Sequence, residues 1–363
     1  MASIASTAGA QARSVPRGLV PASVVLGGVL LSLTGLTWDI QWHTDVGPDT
    51  FFTVPHLLLY SGSAVSGLAS LMVVLMTTAA ERRGKEIDPI VGGRAVGVFG
   101  RTFAAPVGYL ISGAGAASFL LYGLWDMWWH SLYGFDAVIA SPPHIGLLLS
   151  ISITMVGSTM VFATAREHRW GIIGAVVTAA SLLVFSMVTA IGLQALPGGI
   201  IDSVDVGAAF LSVMIVFMAA RLLDRRWGGL WVALIVLVLQ GVYWVFSPWA
   251  AKTYASAIDL PLRDYAQGVP ALPAMVPLVL VVVAAITGLL NKLPVWVTGA
   301  LAGLIIAACA PLQNALIYGY PVSGYDSIIV TAIVGTVFGA LAGLLGRRFG
   351  EMLRALKPEA VNA

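Results

Sequence analysis

Six residues in the first half of the chain have the types and spacing to hold metal ions. Asp39 and His43 are four residues apart, as are Asp126 and His130, and on a helix that spacing projects both side chains from one face. His56 stands thirteen residues beyond His43, and His144 fourteen beyond His130. A loop must reverse the chain in each interval, which returns the later histidine to the level of the earlier pair. Each hairpin therefore offers two imidazoles and one carboxylate, with coordination positions left open. That is the ligand set of sites that activate dioxygen or water. Asp45, Asp49 and Asp136 lie nearby in sequence. They read either as partners that orient an imidazole through its second ring nitrogen or as loop turns and surface charge.

These residues belong to an internal repeat. Trp38, Asp39, Trp42, His43 and Asp49 have counterparts at identical offsets in Trp125, Asp126, Trp129, His130 and Asp136. Pro55 and His56 match Pro143 and His144 after a one-residue insertion, so four of the 5 histidines occupy paired places. A pair of structural hairpins could keep each Asp bonded to its own His. Retention of both imidazoles in both copies favours metal ligation, because ionisable groups at membrane depth are costly without compensation. His168 lies in a charged Glu167-His168-Arg169 run and reads as a solvated loop residue.

The elements that position the sites must sit in lipid. Of the 363 residues, 58% are hydrophobic and only 10% charged, against about 25% charged in ordinary globular chains; the mean hydropathy is +0.92. A bilayer core about 30 Å thick takes about 20 apolar residues per helix. That criterion predicts ten spans: Leu19–Trp38, Phe52–Thr78, Ala105–Trp125, His144–Ala165, Gly171–Leu193, Val206–Leu222, Leu230–Phe246, Val269–Leu290, Val295–Cys309 and Ile328–Leu345. The expected fold is an all-α polytopic membrane protein. A tail over 1–18 precedes a four-span metal-site region over 19–168, a six-span bundle over 169–346 and a second tail over 347–363. Small residues such as Gly299, Gly303, Gly335, Gly339 and Gly343 recur at helix-packing spacing in the last spans.

Lys and Arg are retained in cytoplasmic loops. With the N-terminus inside, all of them except Lys252 and Arg263 fall on one side, so both termini are expected in the cytoplasm and the Asp/His groups near the extracytoplasmic face. Tryptophans at that face read first as an interfacial belt. The loop with Lys252, Asp259, Arg263, Asp264 and Tyr265 is placed to cap a pocket above the two hairpins, or to form a plain surface ion pair. The net charge of +2 with scattered basic residues leaves no footprint for nucleic acid, and Cys309 alone excludes an intramolecular disulfide or a thiolate metal cluster. Glycine-rich phosphate loops of Walker or Rossmann type are absent from the sequence.

The Asp-His-His spacing, repeated downstream, resembles the C subunit of the copper membrane monooxygenases, the family of particulate methane, ammonia and short-alkane monooxygenases. Asp39, His43 and His56 match the family's Asp-His-His copper triad, and Asp126, His130 and His144 match its second triad. That second triad usually begins with Asn, so Asp126 adds a negative charge. The match runs over about Trp38 to Ser150, and the six later spans have no counterpart. The resemblance implies copper, dioxygen activation, and hydroxylation of a small apolar molecule arriving through the lipid of a bacterial plasma membrane. It also implies further membrane subunits and a partner bearing an extracytoplasmic copper domain, with a homo-oligomer as another possible assembly. Zinc and iron suit the same donor set. The alternative class is a divalent-metal or proton-coupled transporter using the same groups. It should continue its ionisable residues toward the cytoplasm, and the later spans lack them. Haem ligation would usually call for histidines on both sides of the membrane.

Overall fold

A computed structural model describes residues 17–47, 49–85, 87–134, 141–196, 199–266, 268–271 and 276–356. Ten α-helices form the body: α1 (Leu19–Asp45), α2 (Val54–Arg82), α3 (Val107–Tyr133), α4 (Pro142–Thr164), α5 (Arg169–Ile191), α6 (Ser203–Leu223), α7 (Gly228–Ala257), α8 (Leu280–Leu289), α9 (Val295–Tyr318) and α10 (Tyr325–Arg354). Nine of them, among the described residues, are long and apolar enough to cross a membrane.

The exception falls on the span expected at Val269–Leu290. Among the described residues there, only Leu280–Leu289 is helical, 10 residues and too short by itself. Pro270, Pro273 and Pro277 occupy the first half of that stretch, and proline both removes an amide donor and disfavours helix in the residue before it. The backbone groups left free are met from α9, where Gln313 accepts from the amide of Leu278 at 2.7 Å and donates to Val276 O at 3.2 Å. Non-helical backbone at membrane depth is tolerated when protein groups satisfy it in this way. The segment still runs from the level of Gln313 to Gly288, which packs beside Trp227 at the start of α7. A second departure from the all-α expectation is a small antiparallel hairpin between α2 and α3, β1 (Ala95–Val98) with β2 (Phe103–Pro106).

Helices α1 and α2 form one antiparallel hairpin, α3 and α4 the next, and α5 is buried behind them. Small residues bring the partners together. A methyl group on Gly28 of α1 would meet Gly62 O at 2.6 Å and Ser66 N at 2.8 Å; one on Gly115 of α3 would meet Ser150 O at 2.7 Å and Thr154 N at 2.5 Å. Gly28 and Gly115 are 87 positions apart, the same shift that relates Asp39 to Asp126. Ser66 and Thr154 are 88 apart, as are His56 and His144. The duplication therefore extends from the Asp/His groups down the helix contact that aims them. In the second half, α9 and α10 cross through Gly299, Gly303, Gly335 and Gly339, where a Cβ on Gly299 would meet Gly339 O at 2.5 Å. This is the close packing expected of those glycines.

Candidate metal centre

The ends of α1 and α2 carry the first group. His56 Nε2 lies 3.0 Å from Asp39 Oδ1, and His43 Nε2 lies 3.8 Å from the same oxygen. In the second hairpin, His130 Nε2 is 3.4 Å from Asp126 Oδ2 and His144 Nε2 is 3.3 Å from Asp126 Oδ1. The six residues singled out by spacing thus assemble as two triads. Pro55 at the start of α2, and Pro142 and Pro143 at the start of α4, set where each second helix begins and hence where His56 and His144 emerge.

Two contacts fix the imidazoles. His56 Nδ1 lies 3.0 Å from Thr50 O, and His130 Nδ1 lies 2.8 Å from Gly134 O. A carbonyl only accepts, so Nδ1 donates in each case and Nε2 is the ring nitrogen turned to the carboxylates. Thr50 is itself held, because Thr53 Oγ1 donates to Thr50 O and accepts from Thr50 N, both at 2.8 Å. For His56 a main-chain carbonyl does the orienting for which Asp45 and Asp49 were candidates, and Gly134 O holds His130.

Asp45, Asp49 and Asp136 fare differently. Asp45 is turned to the outer loop: its carboxylate accepts from Gln41 Nε2 at 2.8 Å, and its carbonyl accepts from the amide of Arg263 at 2.8 Å. Asp49 enters the first group itself, with Oδ2 3.2 Å from the Nε2 atoms of both His43 and His56. Asp136 lies outside the described residues. The four donors of Asp39, His43, Asp49 and His56 fall within 4.8 Å of one another, as do those of Asp126, His130 and His144.

Both groups line one cavity of about 520 Å³. Leu59 and Leu147, repeat equivalents, contribute apolar wall, with Phe119, Leu148, Ile151 and Val188. Tyr60 stacks on His56 with ring centroids 5.9 Å apart and meets Phe119 on its other side. Arg263 lines the cavity from the outer loop, over 200 residues away in sequence. Its Nη1 donates to His43 O at 2.7 Å, and its guanidinium packs where a Cβ on Gly47 would be. Of the two readings of this loop, a surface ion pair or a cap, this contact fits the cap. Gln41, fully buried, ties the same loop to α1 by donating to Val269 O and accepting from the amide of Ala271.

The tryptophans divide. Trp125, Trp128 and Trp249 are exposed as an interfacial belt requires, whereas Trp42 is buried between α1 and α7 against Tyr254, 4.9 Å between centroids. His168 is an exposed residue at the start of α5, stacked on Trp170.

The donors fit a cation. Buried Asp39 Oδ1, Asp126 Oδ1 and Asp49 Oδ2 face imidazole Nε2 atoms at 3.0, 3.3 and 3.2 Å. Carboxylate and imidazole held this close suit a cation bound among them, which would offset the cost of burying the charges.

In comparisons with known proteins, no family model, curated protein or solved structure matches this chain.

Proposed function

We propose that this chain is an integral membrane subunit that holds transition metal, copper in the first instance, at its two Asp/His groups and takes part in hydroxylating a small apolar molecule. The observation that carries the proposal is the convergence of carboxylate oxygens and imidazole Nε2 atoms within 4.8 Å of one another, formed twice at equivalent places.

Asp39, His43 and His56 would hold one ion, and Asp126, His130 and His144 the other. Bound copper would supply activation of dioxygen, one oxygen atom passing to the substrate and the other leaving as water, with two electrons drawn from an external reductant. The chain's own residues do the rest. Thr50 and Gly134 carbonyls keep the imidazoles in the ligating tautomer. Leucine, isoleucine and phenylalanine side chains give the cavity an apolar wall for such a guest. Arg263 lines the cavity from the outer loop. The Lys/Arg distribution supports placing this end at the extracytoplasmic face, where a partner with a soluble copper domain could deliver metal or electrons.

Metal analysis of protein purified from membranes tests the reading. It is supported by stoichiometric copper that falls when His43 and His56, or His130 and His144, are replaced by Ala. Protein free of transition metal overturns it. Ion uptake into proteoliposomes that is abolished by His56→Ala would put the transport reading in its place.

A further inference from the structure

The sequence motif gives each hairpin three ligands, yet the first group contains a fourth donor of a kind the motif does not require. Asp49 sits in the loop between α1 and α2, outside either helix. Its side chain is only 1% exposed, and its Oδ2 is 3.2 Å from Nε2 of both His43 and His56. Nδ1 of His56 donates to Thr50 O, so Nε2 is the ring nitrogen turned to Asp49. Asp39, 14% exposed, faces the same two nitrogens. The nearby Arg263 directs Nη1 at the carbonyl of His43. Two carboxylates and two imidazole nitrogens therefore converge within 4.8 Å of one another, close enough to share one ion.

We propose that Asp49 is the fourth ligand of the first site, and that the resulting two-Asp, two-His set makes the site selective for a divalent ion over copper(I). The proposal rests on the metal-centre reading above. The charge arithmetic is direct: two carboxylates and two neutral imidazoles carry −2, which a divalent ion cancels and a monovalent ion leaves at −1 in a buried place. Ligand chemistry acts in the same sense, because carboxylate oxygens are hard donors and copper(I) prefers soft sulfur.

The test uses the full-length protein in detergent with His130→Ala and His144→Ala, so that the first site is read alone. Chelator-stripped protein is titrated with Zn(II) and Cu(II), and with Cu(I) under a competing Cu(I) chelator. The expected parent behaviour is one equivalent of divalent ion. Asp49→Asn should weaken Zn(II) and Cu(II) binding by at least the roughly 10- to 100-fold seen for loss of groups that merely support a ligand, narrow the preference for divalent ions over Cu(I), and be rescued in part by Asp49→Glu. A variant that binds Zn(II) and Cu(II) as tightly as its parent overturns the role of Asp49 and leaves the metal centre standing. A parent that binds no metal overturns both. If Asp49→Asn fails to fold, an infrared difference spectrum of the parent with and without Zn(II) decides: two perturbed aspartate carboxylates support the proposal, and one overturns it.

Discussion

His56 Nδ1 lies 3.0 Å from Thr50 O, and this one contact determines that the opposite ring nitrogen faces Asp39 and Asp49. The carbonyl is in turn pinned by the hydroxyl of Thr53. The consequence is a ligand whose orientation is set by main chain and so is insensitive to the charge of the site. Thr53→Val removes the pinning hydroxyl while keeping the shape. It should weaken metal binding at the first hairpin by about 10- to 100-fold, read by competition titration, without changing binding at the second.

The two triads sit on separate helix pairs with matching contacts. Loss of one should therefore leave the other loaded. Replacing His130 and His144 with Ala is expected to lower metal content by one equivalent per chain, and the same change at His43 and His56 by another equivalent. Metal analysis of the three proteins side by side checks this.

Arg263 joins the outer loop to the end of α1 through its amide to Asp45 O and its Nη1 to His43 O. Arg263→Ala loses the charged of those two bonds, a class worth on the order of 1.5 to 3 kcal/mol. The loop should loosen, seen as faster amide hydrogen exchange over 258–266 in detergent, and the cavity should open to water-soluble probes.

Gln41→Leu tests the other anchor. The buried carboxylate of Asp45 loses its amide donor, and the loop loses two main-chain contacts. Leaving a buried polar group unmet costs about 1 to 3 kcal/mol, so a lowered melting temperature is expected even with metal bound.

In the second half, a Cβ at Gly303 would run into the backbone of Gly335 and Gly339. Gly303→Leu should force α9 and α10 apart and destabilise the protein by roughly 1 to 3 kcal/mol or more. Metal content per folded chain should be unchanged, because neither helix contributes a donor.

Much of this was legible in the sequence for identifiable reasons. Pairs four apart on a helix, such as Asp39 with His43, are local and their meeting follows from helix geometry. His56 and His144 came within reach because a repeat fixed their offsets. Asp49 was visible only as a nearby acid, since a loop has no periodicity to say which way a side chain points. Arg263 joins the site across the fold, where no local pattern operates. The repeat is legible in the sequence from Trp38 onward, through its Trp, Asp, His and Pro residues. Gly28 and Gly115 carry the same 87-residue shift but look like any small residue in an apolar span until the packing they permit is seen. The shortness of α8 has the plainest cause: Pro270 and Pro277 add to the apolar character of the stretch before it, yet each lacks the amide that a helix needs.

Whether the two Asp/His groups hold metal is decided by metal identity and stoichiometry in freshly purified, unstripped protein. Two equivalents of transition metal per chain are expected, copper among them, lost in halves as each hairpin's histidines are removed. Protein that is folded and carries no stoichiometric transition metal would contradict the metal-site reading.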